Sequence, residues 1–337
     1  MSWAAVAISG AVAFMALGSN VRRLRACRHV HQKTKSTTPE RPVTPTTHSP
    51  PPGGNHSTGR RPLKFLVNSI DRFAPAAKPQ MLRLGTRMGY GLTNRRRAYA
   101  SATCLNYGWA TVGGDGIAPG GHLSAQEATS PDRYSLQLYE RIAVPHVSGR
   151  QALEVGCGRG GGTTFLHDAL GAQDVTGVDL TPSSVRWCTD HWSKPGVRFA
   201  VGDAESLDFD DASFDVVVNV ESSHLYPSVE GFLVEVRRVL RRGGVLLIAD
   251  FRSRQEMAEL AQQIVDAGLV IEEEEDISAN VVRALSLITP YRDAQIAKFA
   301  LFSGRIAREF AGTEGTHFFR ELTSGEIAYK RFVARKN

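Results

Sequence analysis

Cysteine is scarce. The 337 residues hold four, Cys27, Cys104, Cys157 and Cys188. None stands in a C-x-x-C pair, which excludes a disulfide framework or a zinc ribbon and suits a reducing compartment. No H-E-x-x-H or similar ligand cluster occurs, so no metal is expected. No internal repeat is present, which excludes a solenoid. Acid is almost missing from the start of the chain. Residues 1–61 carry nine Lys/Arg against Glu40, so that of a net charge of +6 about +8 lies there and about −2 over the rest. An enzyme of nucleic acids needs its basic face on the folded part, so DNA and RNA are not expected partners.

Met1 to Val21 lacks charge altogether, and Arg22, Arg23 and Arg25 follow at once. Roughly 20 apolar residues span a bilayer, and a secretory signal would carry its positive charge before the apolar run rather than after it. Residues 1–21 therefore read as a single-pass anchor with a cytosolic catalytic domain behind it. The alternatives are a removed leader, with a soluble cytoplasmic or organellar product, and an extension without a role. Residues 22–62 are basic, then rich in Pro, Thr and Ser around Pro50-Pro51-Pro52, a composition that cannot offset its ordering entropy and reads as a tether. Residues 63–148 read as a helical lid segment, amphipathic through Leu63, Phe65, Leu66, Ile70 and Phe73.

From Gly149 short apolar runs alternate with helical stretches. Strands are expected at 152–155, 174–179, 197–201, 214–220 and 244–250, with Val216-Val217-Val218 and Val245-Leu246-Leu247-Ile248 suited to burial on both faces. A helix begins at Thr181-Pro182, cap then first-turn proline, and another runs over 228–240 to Gly243-Gly244. Strand–helix alternation implies a doubly wound α/β parallel sheet. Helices are expected at 253–268 and 279–311. Glu272 to Asp276 reads as a solvated turn, and 327–334, where apolar and charged residues alternate, as an antiparallel edge strand. The domain plan is a cofactor-binding core over 149–276 and acceptor-binding helices with the closing strand over 277–337.

In this architecture ligands bind at a glycine-rich turn after the first strand. Here that turn is Gly156-Cys157-Gly158-Arg159-Gly160-Gly161-Gly162. Asp179 ends the second strand, where an acid can accept both hydroxyls of an adenosine ribose. Gly156, Gly158 and Gly161 also satisfy the dinucleotide pattern G-x-G-x-x-G, so an NAD-dependent oxidoreductase remains an alternative. Three features favour S-adenosyl-L-methionine. Glu154 precedes the first glycine and suits an ammonium better than a pyrophosphate. Gly202-Asp203-Ala204-Glu205 follows the third strand and offers an acid to an adenine amino group. One antiparallel strand closes the chain.

With these residues in place, 150–250 resembles the class I methyltransferase domain. Leu105-Asn106-Tyr107-Gly108-Trp109, Asn219 to Pro227 and Glu309 to Thr316 resemble bacterial lipid O-methyltransferases, the mycobacterial phthiotriol/phenolphthiotriol dimycocerosate methyltransferases and related enzymes among them. The resemblance implies a Rossmann-like seven-stranded sheet with an antiparallel C-terminal strand and helical lid additions. It implies cofactor contacts at Tyr107, Glu154, Gly156, Gly158, Gly160, Asp179, Leu180, Asp203, Ala204, Glu205 and Asn219. Residues 1–61 match nothing in that family.

Methyl transfer from a sulfonium needs an aligned acceptor and, for a hydroxyl, a base. His224, after the fourth strand, is the first candidate, with Glu221 to orient it; His317 is the second. Tyr226 stands beside them as pocket wall or packing. Leu285, Leu287, Ile288, Phe299, Leu301, Phe302 and Phe310 suggest a lipid or other hydrophobic acceptor, or simply one packing face of a helical subdomain. The reading is methylation of a hydroxyl or carboxyl on such an acceptor. The alternatives are a C-methyltransferase of a sterol or isoprenoid and a non-catalytic binding subunit. Oligomeric state is not legible.

Overall fold

The computed structural model describes residues 103–118, 121–299 and 304–337. The expected anchor, the tether, the amphipathic stretch over 63–100, Leu301 and Phe302 lie outside them. Two short helices, α1 (Ala125–Thr129) and α2 (Arg133–Ala143), precede the sheet. The order is then β1 (Gln151–Val155), α3 (Gly161–Asp168), β2 (Asp174–Asp179), α4 (Pro182–Trp192), β3 (Val197–Val201), β4 (Phe214–Val220), α5 (Val229–Val239), β5 (Leu240–Ser253), α6 (Arg254–Asp266), β6 (Leu269–Asp276), α7 (Ser278–Phe299), α8 (Gly304–Ala311), α9 (His317–Ser324) and β7 (Ile327–Lys336).

The strands form one seven-stranded sheet in the order β3-β2-β1-β4-β5-β7-β6, with β7 antiparallel to both neighbours. The order reverses between β1 and β4, and the crevice at the carboxyl ends of these strands is the place where open α/β sheets bind ligands. Successive side chains alternate between faces. Val216, Val218, Leu247 and Phe251 pack with α2, α3, α7 and α9 through Leu138, Ile142, Leu166, Leu285 and Phe318. Val217, Leu246 and Ile248 pack on the other face with Phe232, Leu233 and Val236 of α5 and Met257 and Leu260 of α6. Helices on both faces are what the continuous apolar strands require.

Four expectations need correction. Helix α5 does not run to Gly243-Gly244; it stops at Val239, and Leu240 already pairs with Phe214 in β5. The acidic run Glu272 to Asp276 is not a turn but most of the edge strand β6. Its four glutamates are met from β7, where Arg335 pairs with Glu272 at 2.5 Å, Arg331 with Glu273 at 2.6 Å and with Glu275, and Lys330 with Glu274. Strand β7 is consequently an inner strand, buried along most of its length, and its alternating cations serve the neighbouring strand rather than solvent. The helical stretch expected over 279–311 is two helices, α7 and α8.

Candidate functional site

The glycine turn is built by backbone conformations that side chains disfavour. Gly156, Gly158 and Gly160 all have positive φ, at 84°, 56° and 75°. A β-carbon on Gly156 would stand 2.1 Å from Ser222 Oγ, so only glycine lets the end of β4 close over this turn. At Gly158 the nearest atom to such a carbon is Leu105 Cδ1 at 3.9 Å, which leaves an open backbone face. Asp179 ties the turn to β2: one carboxylate oxygen accepts from Gly158 N at 3.0 Å, the other from Thr181 N at 2.8 Å. Burial pushes its carboxyl up from the ordinary value. The amide of Thr181 is thereby satisfied at the start of α4, where the Thr181 side chain itself makes no capping bond.

Glu154 lies at the end of β1, fully enclosed. Its oxygens accept from Tyr139 Oη at 2.6 Å and from Thr163 Oγ1. Burial pushes its pKa up to about 7, against those hydrogen bonds. Two of its acceptor sites are thus committed to the scaffold, and what it offers an ammonium is its remaining lone pairs. Asn219 donates to Val155 O at 2.9 Å and to Tyr226 Oη at 3.0 Å, while its Oδ1 is buried with no partner among the described residues. The Tyr226 hydroxyl also shares a 2.8 Å hydrogen bond with Ser222 Oγ.

After β3, Asp203 Oδ1 accepts from Glu205 N at 3.1 Å, forming a tight turn around the buried Ala204. The Glu205 carboxylate accepts from Ser228 N at 3.1 Å, so it fastens the loop before α5. Leu180 stands half-buried between Asp179 and the first turn of α4. An open glycine face, an unmet buried acceptor at Asn219 and an acid after each of β2 and β3 fit a nucleoside that brings hydroxyl and amino donors.

Residues 103–109 run along this same edge. Thr103 O accepts from Gly161 N at 3.1 Å, and Thr103 is itself held to Asp132 by its amide at 2.9 Å and its hydroxyl at 2.5 Å. Tyr107 N donates to Glu221 Oε1 at 2.7 Å. Asn106 donates to Ser135 O at 3.3 Å, and Trp109 N to Tyr134 O at 2.9 Å. The segment thus touches both the start of α3 and the residue that follows β4.

His224 sits in a single 3-10 turn, Ser223–Leu225, just past β4. Its Nδ1 is 2.7 Å from Asp250 Oδ1, and its side chain is 12 % exposed. Asp250, on β5, was not foreseen. Its second oxygen accepts from Ser223 Oγ at 2.6 Å and His224 N at 3.0 Å, and pairs with Arg252 at 3.0 Å. Burial alone would raise its pKa, but its neighbours His224 and Arg252 and these hydrogen bonds hold it well below the usual carboxylate range. A standing carboxylate assigns the imidazole proton to Nδ1 and leaves Nε2 to accept one.

Glu221 does not orient His224. It occupies a left-handed backbone position, φ 47°, and its Oε1 accepts from Tyr107 N and, at 2.9 Å, from Tyr329 Oη. Burial pushes its pKa up to about 8. The task expected of Glu221 falls to Asp250, since the turn after β4 folds His224 over β5. His317 begins α9 with its side chain 54 % exposed, 3.0 Å from Glu321. Its neighbour Phe318 is the residue that turns inward, as one step along a helix requires. Phe318 stacks on Tyr107 at 4.3 Å and meets Phe251 at 5.0 Å, and Phe251 lies 4.4 Å from the His224 ring.

These aromatics, rather than Leu285, Leu287, Ile288 or Phe310, stand beside His224. Leu285 and Ile288 are core residues, Leu287 packs towards Gly116, and Phe310 is 49 % exposed. Asp250 had a legible signal, since it ends the fifth apolar run as Asp179 ends the second. Tyr139 and Thr163 had none.

A family model described as a methyltransferase domain matches residues 153–248. The chain is 38% identical over 220 residues to the phthiotriol/phenolphthiotriol dimycocerosates methyltransferase of Mycobacterium leprae, covering 64% of this chain and 80% of that protein. It is 37% identical over 221 residues to a fatty-acid O-methyltransferase of Mycolicibacterium smegmatis, covering 65% and 78%. Among solved structures, geranyl diphosphate methyltransferase in complex with SAM aligns with a TM-score of 0.52 at 19% identity, covering 70% of this chain and 100% of that one. A putative sarcosine dimethylglycine methyltransferase from Galdieria sulphuraria aligns at 0.56 and 14% identity, covering 73% and 98%. At such identities the structural likeness establishes the fold alone.

Proposed function

From the premise that this chain belongs to the S-adenosylmethionine-dependent methyltransferase family that includes the phthiotriol/phenolphthiotriol dimycocerosates methyltransferases, we propose that it methylates a hydroxyl or carboxyl oxygen of a lipid or similarly hydrophobic acceptor, with His224 as the base. The observation that carries this reading is the His224–Asp250 pair at the carboxyl edge of the sheet, beside the wall of Phe251, Tyr107 and Phe318.

When bound, the cofactor supplies an electrophilic methyl group on a sulfonium, and the chain's residues do the rest. Gly156, Gly158 and Asp179 hold the nucleoside, with Asp203 towards the adenine and Glu154 towards the ammonium. The lid through Thr103 and Tyr107 excludes water. Tyr107, the half-buried member of the aromatic group, offers an apolar acceptor its surface, and His224 Nε2 takes the hydroxyl proton while Asp250 stabilises the imidazolium that forms. The names of the mycobacterial relatives support a lipid acceptor and oxygen as the methylated atom. His317, exposed and paired with Glu321, is the weaker base candidate.

The uncharged run of residues 1–21, followed by three arginines, supports an anchor that brings the enzyme to its acceptor. No described helix is long and apolar enough to cross a membrane.

The test is methyl transfer from tritiated S-adenosylmethionine to a panel of hydroxy lipids, fatty acids and small water-soluble alcohols. Label extractable into organic solvent with the lipids, and lost in His224→Ala, is the expected result. Label confined to soluble acceptors, or retained in that variant, would refute it.

A further inference from the structure

Arg159 is the middle residue of the glycine turn, between Gly158 and Gly160. Side chains at such a place usually reach water, but Arg159 is 3 % exposed. Its guanidinium carbon lies 4.0 Å from the centre of the Trp187 ring on α4, and its backbone carbonyl accepts from Trp192 Nε1 at 2.9 Å. Two aromatic residues of α4 thus fix the turn and its side chain together. Its Nε is buried without a hydrogen-bond partner among the described residues. Asp132, whose field it feels, is taken up by the amide and hydroxyl of Thr103. A cation held out of water needs a compensating anion, and a ring face supplies only part of that. The planar edge of a guanidinium matches a carboxylate, two N–H groups to two oxygens.

Resting on the functional reading above, we propose that Arg159 recognises the α-carboxylate at the amino-acid end of the cofactor and so makes the site selective for adenosyl amino acids over plain adenosine thioethers. Helix α3 begins at Gly161, two residues after Arg159. Glu154 flanks the other end of the turn. A zwitterion therefore meets an acid and a base across one glycine turn, an arrangement that a pyrophosphate would not match. Trp187 holds the guanidinium flat, so it is a positioning residue for Arg159.

The experiment is calorimetric titration of the full chain with S-adenosylhomocysteine and, as a probe lacking the carboxylate, with 5′-methylthioadenosine. In Arg159→Gln the first ligand weakens on the order of tenfold or more while the second keeps its affinity within about twofold. Arg159→Lys, which retains charge but not the paired N–H geometry, falls between and serves should the glutamine variant fail to fold. Equal loss of both ligands, or unchanged binding of S-adenosylhomocysteine, overturns the assignment. A wild-type chain that binds neither ligand overturns the functional reading itself.

Discussion

A histidine serves as a base when one nitrogen is committed and the other is free, and Asp250 commits His224 Nδ1. Replacing His224 by alanine should lower turnover about 10²-fold with cofactor affinity retained; a near-normal rate would remove it from the mechanism. Asp179→Ala should weaken S-adenosylhomocysteine binding about tenfold, or about 1.4 kcal/mol, by calorimetry; unchanged affinity would refute its role at the ribose. Glu221 makes a prediction about pH. Its folded pKa of about 8 stands above its ordinary value of 4.5, so between those limits the folded chain holds a proton that the unfolded chain has lost. That contribution to stability is complete below about pH 4.5 and is lost as pH rises through about 8. Melting temperature should therefore fall from pH 5 to pH 8, and Glu221→Gln should flatten the slope. An unchanged slope would mean that the carboxyl ionises as it does in water.

Among the elements, β6 was the least legible. Four consecutive glutamates read as a turn because strand pattern and propensity argue against them. What makes them a strand is β7, some sixty residues later, whose Arg331 meets both Glu273 and Glu275. Arg331 is buried, and its stem packs as well as pairs. Arg331→Ala should cost about 1–2 kcal/mol, seen as a drop in melting temperature; an unchanged transition would show the ladder to be ornamental. The segment 103–109 depends on another contact of this kind, Tyr107 to Glu221 across 114 residues. By contrast β1, β2, β3 and β4 were readable almost to the residue, most clearly β4, whose run Val216-Val217-Val218 is buried on both faces.

For the whole molecule, the sequence made plain what is local: the glycine turn, the acids that end β1 and β2, the alternation of strands and helices. It hid what only the closed sheet creates. His224 was legible as an imidazole near the crevice, but Asp250 as its partner was not, since their meeting depends on β4 and β5 lying side by side. Glu221 was misread for the same reason: proximity in sequence suggested His224, and the fold gave it Tyr107 and Tyr329 instead. At this scale the anchor proposal is testable. The full chain should sediment with membranes, and a chain lacking residues 1–61 should stay in the supernatant with its S-adenosylhomocysteine affinity intact. Equal partition of the two chains would refute the anchor.

The most direct test is where the methyl group goes. The enzyme, a lipid extract and S-adenosylmethionine bearing a trideuterated methyl group should yield a lipid heavier by that methyl in place of a proton, with tandem mass spectrometry locating it on oxygen. A label on carbon, or no labelled lipid from a chain that binds S-adenosylhomocysteine, would contradict the account.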